Sequence, residues 1–144
     1  MVAIRIIREN EAKLPHYSHN GDSGMDLYSV EDCGVIQPME RKLIRTGIRL
    51  EIPVGYEAQI RPKSGLAINH GITHLNTPGT IDSNYRGEIK IILINLGREP
   101  YKVEKGKKVG QMVFSKVETA VLEETEELSQ TSRGDGGFGS TGLG

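Results

Sequence analysis

Tryptophan is absent from the chain, phenylalanine occurs twice and cysteine once, and each scarcity closes off a class of function. Five tyrosines complete the aromatic set, too few for the stacking platform on which single-stranded nucleic acids are bound. Neither sign of charge dominates. Lysine and arginine number 18 against 19 acids, a net charge of -1, so no whole-molecule field draws the chain to nucleic acid or to an anionic membrane. Any anion site must be local. Cys33 has no second cysteine for an intrachain disulfide or a zinc site, which suits a reducing interior and leads us to expect a cytoplasmic protein. Long apolar runs are missing too. Arg5, Arg8 and Glu9 interrupt the N-terminal MVAIRIIREN, and the longest aliphatic run downstream is Ile91 to Ile94. Neither an export signal nor a membrane span is expected.

What is present is enough for one domain, since a chain of 144 residues can hide roughly 68–70% of its unfolded surface on folding. Tyr56, Ala58 and Ile60 alternate with Glu57, Gln59 and Arg61, and Ile48, Leu50 and Ile52 alternate with Arg49 and Glu51, the period of half-buried strands. Residues 2–8, Glu88 to Leu96 and Val109 to Val117 are further strand candidates. Turn chemistry at Pro53 to Gly55, Pro78 to Gly79 and Lys105 to Gly106 separates them. Short strands with frequent turns predict an all-β sandwich or barrel. One short helix is expected in SGLAINH, with Ser64 as its N-cap. Composition then shifts at Glu118: residues 118–133 are rich in Glu, Ser and Thr, and the last eleven residues hold six glycines. We therefore divide the chain into a β-barrel body, 1–117, and a linker with a glycine-rich arm, 118–144, which is either a lid reaching a neighbour or a plain disordered end.

Five segments could carry chemistry. Gly134 to Gly139 has the spacing of a dinucleotide fingerprint, but no strand precedes it and only five residues follow, so no helix can receive a pyrophosphate. It remains a glycine-rich loop with Arg133, Phe138, Ser140 and Thr141 close by. In Arg61-Pro-Lys63-Ser64-Gly65-Leu66-Ala67, a strand gives way to a helix start, whose amide groups, hydroxyl and cation form an anion cradle; taken alone it reads first as an ordinary capped turn. In residues 76–89, NTPGTIDSNYRGEI, Asp82 lies beside an aliphatic residue and ahead of Tyr85. It is either a general base, a role worth roughly 10²–10⁴ in rate, or an acid that bonds its own turn. SGMDL supplies a second carboxylate, Asp26, and GKKVGQMVF supplies Gln111. His70 and His74 find no third ligand at metal-site spacing and are expected at the surface or in turns.

Taken in order, SGMDL, RPKSGLA, NTPGTIDSNYRGEI, GKKVGQMVF and RGDGGFGSTG resemble the five motifs of the homotrimeric dUTPases, over Ser23 to Gly142. The resemblance implies a jelly-roll-like β subunit of the dUTPase β-clip type, with a flexible C-terminal arm, in a threefold homotrimer that shares its active sites. The implied activity is hydrolysis of dUTP to dUMP and diphosphate by attack of water on the α-phosphorus. That reaction keeps uracil out of DNA and supplies dUMP for dTMP synthesis. By the same resemblance Asp82 activates the water and meets the sugar 3′-hydroxyl, Tyr85 stacks under deoxyribose, and Asn76, Thr80, Ile81 and the backbone near Lys90 read uracil. Lys63, Ser64, Gly65 and Gln111 grip phosphate. Arg133, Phe138, Gly139, Ser140 and Thr141 close from the arm, and Asp26 orients waters around a Mg2+ held mainly by the triphosphate. The expected partners are dUTP and two further copies of the chain, with no nucleic acid and no membrane.

Three residues depart from the family pattern. Lys63 stands where arginine is frequent and cannot make a two-pronged phosphate contact, Gly110 replaces a small alkyl residue, and Asp135 adds a negative charge to the arm. Two rival readings share the fold. A dCTP deaminase would need a catalytic acid in the strand after the third motif, and Ile89 to Asn95 contains none; a non-catalytic nucleotide-binding regulator would not need Asp82 together with an intact arm.

Overall fold

The structure, a computed structural model, describes residues 1–142. Ten strands and one helix follow in the order β1 (Arg5–Arg8), β2 (Met25–Tyr28), β3 (Gly34–Ile36), β4 (Arg41–Glu51), β5 (Tyr56–Arg61), α1 (Ser64–His70), β6 (Ile72–His74), β7 (Gly79–Ile81), β8 (Glu88–Asn95), β9 (Tyr101–Val103) and β10 (Lys108–Lys116). One four-stranded sheet runs β1-β4-β8-β6, a second runs β2-β10-β5-β7, and β3 pairs with β9. Every pairing is antiparallel. This is the all-β sandwich that the alternating pattern predicts.

Alternation decides which side chains meet between the sheets, because successive residues of a strand face opposite ways. In β8, Ile89, Ile91 and Leu93 turn inward and are buried, while Lys90 between them is exposed. Ile44, Ile48 and Leu50 join them from β4, and Leu27, Ala58, Ile60, Val109 and Met112 come from the opposite sheet. Complete burial of a Leu or Ile contributes about 1.5–3 kcal/mol. The core therefore rests on these two inner faces.

The expected strand at 56–61 appears as read, and those at 2–8, 48–52, 88–96 and 109–117 appear with shifted ends. The second proves to be the close of an eleven-residue strand, Arg41–Glu51. Strands β2, β3, β6, β7 and β9, at three or four residues each, are too short for a period to show in sequence. Two local expectations are corrected. Ser64 is the first residue of α1 rather than its cap; Lys63 occupies the cap position in extended conformation, without a side-chain cap bond. Gly79 opens β7 rather than sitting in a turn. Past Lys116 the described residues form neither strand nor helix.

His74 is the third correction, and it explains Gly110. The imidazole is not at the surface: it is buried between the sheets, its Nε2 2.9 Å from the carbonyl of Val109. Burial pulls its pKa below the ordinary value, outweighing the raising effect of the nearby Val109 and Ile60 carbonyls; because a carbonyl can only accept, the ring nitrogen facing Val109 is the one that donates. A Cβ on Gly110 would lie 2.9 Å from both His74 Cε1 and Ile91 Cδ1, so the ring fills the room that an alkyl side chain would need. Gly110→Ala should cost about 1–3 kcal/mol through overpacking. Combined with His74→Val, the total cost should be smaller than the sum of the two single costs by about 1 kcal/mol or more, as measured by urea unfolding at fixed protein concentration. Simple additivity would show that the two positions do not share a space.

Candidate functional site

Two cavities hold the functional side chains. The polar one, of about 400 Å³, is lined by Asp26, Arg61, Lys63, Lys108, Gln111 and the loop from Ser18 to Gly24. Asp26 lies at its centre, 4% exposed. Strand β10 pairs with β2 on one side and β5 on the other, so that Gln111 stands opposite both Asp26 and Arg61. One oxygen of Asp26 is ion-paired with Lys63; the other meets Lys108 at 2.6 Å and accepts from Ser18 Oγ at 3.2 Å. Burial alone would push the pKa of this carboxyl up. The hydrogen bonds and charges of Lys108 and Lys63 reverse that effect and hold it below the usual carboxylate value. Lys108 in turn is raised by Asp26.

Gln111 binds this cavity together. Its Nε2 donates to the carbonyl of Pro62 at 3.0 Å, and a Cβ on Gly24 would come within 2.3 Å of its Oε1. Only glycine lets the first motif pass so close to the amide of the fourth. Ser64 and Gly65 sit in the first turn of α1, exposed and outside the lining of this cavity.

A second cavity, of about 330 Å³, gathers Asn76, Thr80, Ile81, Asp82, Tyr85 and Lys90, together with His74 and Glu88. All six residues assigned from the sequence to base and sugar meet here. β7 brings Thr80 opposite Gln59 and Ile81 opposite Ala58, and the chain then turns through Asp82. The main-chain carbonyl of Asp82 closes that turn, accepting from Tyr85 N at 3.1 Å, while its side chain is exposed. Arg86 braces the turn from outside, its Nη1 donating to the carbonyls of Ser83 and Tyr85 at 2.7 and 3.1 Å. The Tyr85 hydroxyl donates to the carbonyl of Glu88 at 2.9 Å.

These cavities share no lining residue. Ile60 borders one and Arg61 the other, and consecutive strand residues project to opposite sides of a sheet. Arg133, Phe138, Gly139, Ser140 and Thr141 line neither; Phe138 stands free in solvent, and Arg133 Nε bonds the carbonyl of Gly136 at 2.8 Å. One chain thus carries three separate pieces of the predicted site. Among the described residues no cluster of three His, Cys, Asp or Glu could cage a metal, and no helix is long and apolar enough to cross a membrane.

The dUTPase family model matches residues 10–142, nearly the whole chain. The chain belongs to the dUTPase family. Among its relatives, the deoxyuridine 5'-triphosphate nucleotidohydrolases of Clostridium novyi (strain NT) and Clostridium kluyveri are 60% and 58% identical, covering 92% of this chain and 93% and 92% of theirs. The dUTPase of Staphylococcus bacteriophage 80alpha, solved with dUPNHPP, superposes with a TM-score of 0.88 at 27% identity, covering 99% of this chain and 100% of that one.

Within this dUTPase family chain, sequence reasoning missed Lys108 and Glu88. Lys108 was visible only as part of a basic turn, and nothing in its spacing shows that the next strand would carry it onto Asp26. Glu88 immediately precedes the acid-free stretch Ile89 to Asn95, and it is an acid that lines the second cavity. Its carboxylate is engaged rather than free: Arg45 Nε donates to both oxygens at 3.2 and 3.1 Å, and Gly47 N donates to Oε1 at 2.9 Å. Burial raises its pKa, and Gly47 with Arg45 more than offsets this, leaving the group below its ordinary value.

Both buried acids have folded pKa values below their unfolded ones, near 3.8 for Asp and 4.5 for Glu. Their contribution is complete above those values; as the pH falls the unfolded chain takes up protons first, so stability is lost. The urea midpoint should hold down to about pH 5 and fall steeply between about pH 5 and pH 3. Glu88→Gln should make that fall shallower, and an acid slope identical to that of the parent protein would exclude Glu88 as a contributor.

Proposed function

We propose that the chain is a dUTP diphosphatase, hydrolysing dUTP to dUMP and diphosphate with Asp82 as general base for water attack on the α-phosphorus. The observation that carries this reading is the second cavity, where the exposed carboxylate of Asp82 shares one wall with Asn76, Thr80, Ile81, Tyr85 and Lys90. Asn76 and the β7 backbone offer donors and acceptors to a uracil edge. Tyr85, pinned through its hydroxyl, sets a floor under the sugar that leaves no room for a 2′-hydroxyl. Asp82 meets the 3′-hydroxyl and takes the proton of the attacking water.

The triphosphate belongs to the polar cavity, where Lys63, Lys108 and Gln111 surround Asp26. As the two half-sites are apart in one chain, the reading requires a homotrimer in which one subunit supplies the nucleoside cavity and a neighbour the lysines. Exposed apolar surface supports such contact: α1 buries none of its residues, and Ile68 is 83% exposed. Residues 118–144 form the arm of a further subunit, bringing Phe138 over the base and Arg133, Gly139, Ser140 and Thr141 to the γ-phosphate, while Ser64 and Gly65 add main-chain donors. Closure excludes bulk water and orders the phosphates.

Mg2+ fits this donor set in one manner. Asp26 is a single hard oxygen donor already shared by two lysines, suited to hold a hydrated ion through its waters rather than to cage it. When bound, the metal supplies positive charge to the phosphate oxygens. Lys63 and Lys108, which flank Asp26, would add their own charge to the same oxygens.

Pyrophosphate release from dUTP, dCTP, dTTP and UTP tests the assignment directly: dUTP alone should be cleaved at an appreciable rate, and ammonia release from dCTP would replace the reading with deamination. Asp82→Asn should lower turnover at least about a hundredfold while a dUTP analogue still binds; near-normal turnover would remove Asp82 from the role. Deleting residues 133–144 should abolish activity and leave the trimer intact by light scattering, whereas a monomeric product would show that the arm is structural.

A further inference from the structure

The register of β4 against β8 slips beside the nucleoside cavity. Arg45 stands opposite Lys90 and Arg49 opposite Glu88, so Thr46, Gly47 and Ile48 together face the single residue Ile89. Such a bulge strips backbone groups of their ladder partners, and each must be met another way. Thr46 Oγ1 donates to the carbonyl of Ile89 at 2.6 Å. The Gly47 carbonyl accepts from Glu9 N at 2.9 Å, and the Arg45 carbonyl from Val30 N at 3.0 Å. The Gly47 amide is met by the Glu88 side chain at 2.9 Å.

Glu88 thereby joins two structures. Its carboxylate is clasped in the bulge by Gly47 N and by Arg45, whose remaining nitrogens reach Glu9 and Glu31; its own carbonyl receives the Tyr85 hydroxyl. Between them Gly87 has no side chain, and a Cβ there would lie 2.3 Å from the Tyr85 Oη. The phenol ring is therefore folded back on residues 87 and 88. One hydrogen bond thus ties the Tyr85 ring to the main chain of Glu88.

We propose that Glu88, held by Arg45 and the Gly47 amide, is the positioning residue that fixes Tyr85 and so sets discrimination against a 2′-hydroxyl. The proposal rests on the reading of the second cavity as the deoxynucleoside site. Glu88 does no chemistry there; it acts through its own carbonyl. Loss of the carboxylate takes from the Gly47 amide its side-chain acceptor and leaves Arg45 with Glu9 and Glu31 alone, and the strand end carrying that carbonyl relaxes.

The test compares kcat/KM for dUTP and UTP in Glu88→Gln, Tyr85→Phe, the double variant and Arg45→Lys, with thermal melts run alongside. Glu88→Gln should lower the dUTP to UTP ratio about tenfold, the size of one lost hydrogen bond. Tyr85→Phe should do the same, and the pair together should be no worse than either. Arg45→Lys, which keeps the charge but not the fork, should give a smaller drop and carries the same comparison if Glu88→Gln does not fold. An unchanged ratio in a folded variant, or losses that multiply in the double variant, overturns the proposal. Should the parent protein leave dUTP untouched, the functional reading fails separately. The Tyr85 Cζ resonance in tyrosine-labelled protein then decides: movement in Glu88→Gln supports the positioning role, and an unmoved resonance ends it.

Discussion

A carboxylate shut away from water must be matched by positive charge or surrender its own, and Asp26 is matched twice. Lys63 arrives from the cap of α1 and Lys108 from the start of β10, so a single buried charge draws three distant stretches of sequence to one place. The desolvation of one acid thereby organises the polar cavity, and Gln111 tightens it through Pro62 and Gly24. Remove the charge and two ammonium groups are left facing each other.

The second cavity, to which the proposed function assigns the nucleoside, is built on the opposite principle. Its groups are presented by backbone, with a short strand, a tight turn and a braced loop carrying Thr80, Asp82 and Tyr85 into position. What is electrostatic in one half-site is steric in the other. That contrast suits a ligand with a flat uncharged end and a polyanionic one.

Much of this was legible in the residues. Period-two alternation located the long strands, since one face of each is buried, and the joint order of five short segments singled out Asp82, Tyr85, Lys63 and Gln111, which line the two cavities. Sequence failed where the physics is not local. Strands of three residues carry no period, so β6 and β7 were missed although both line the second cavity. His74 looked like a surface residue, because only the opposing sheet shows that it has a carbonyl to bond and a glycine to lie against. Lys108 and Glu88 were passed over for the same reason: each owes its place to a partner some forty to eighty positions away in the chain.

The packing of His74 against Gly110 bears on how such a chain can drift. Each of the two positions constrains what mutation can introduce at the other. A lineage that acquires a methyl group at 110 must first lose the ring at 74 or pass through a crowded intermediate, while one that trims the ring first must tolerate a void. Exchange at this pair is therefore expected to be rare, correlated and ordered, and the present combination marks one side of a shallow evolutionary valley.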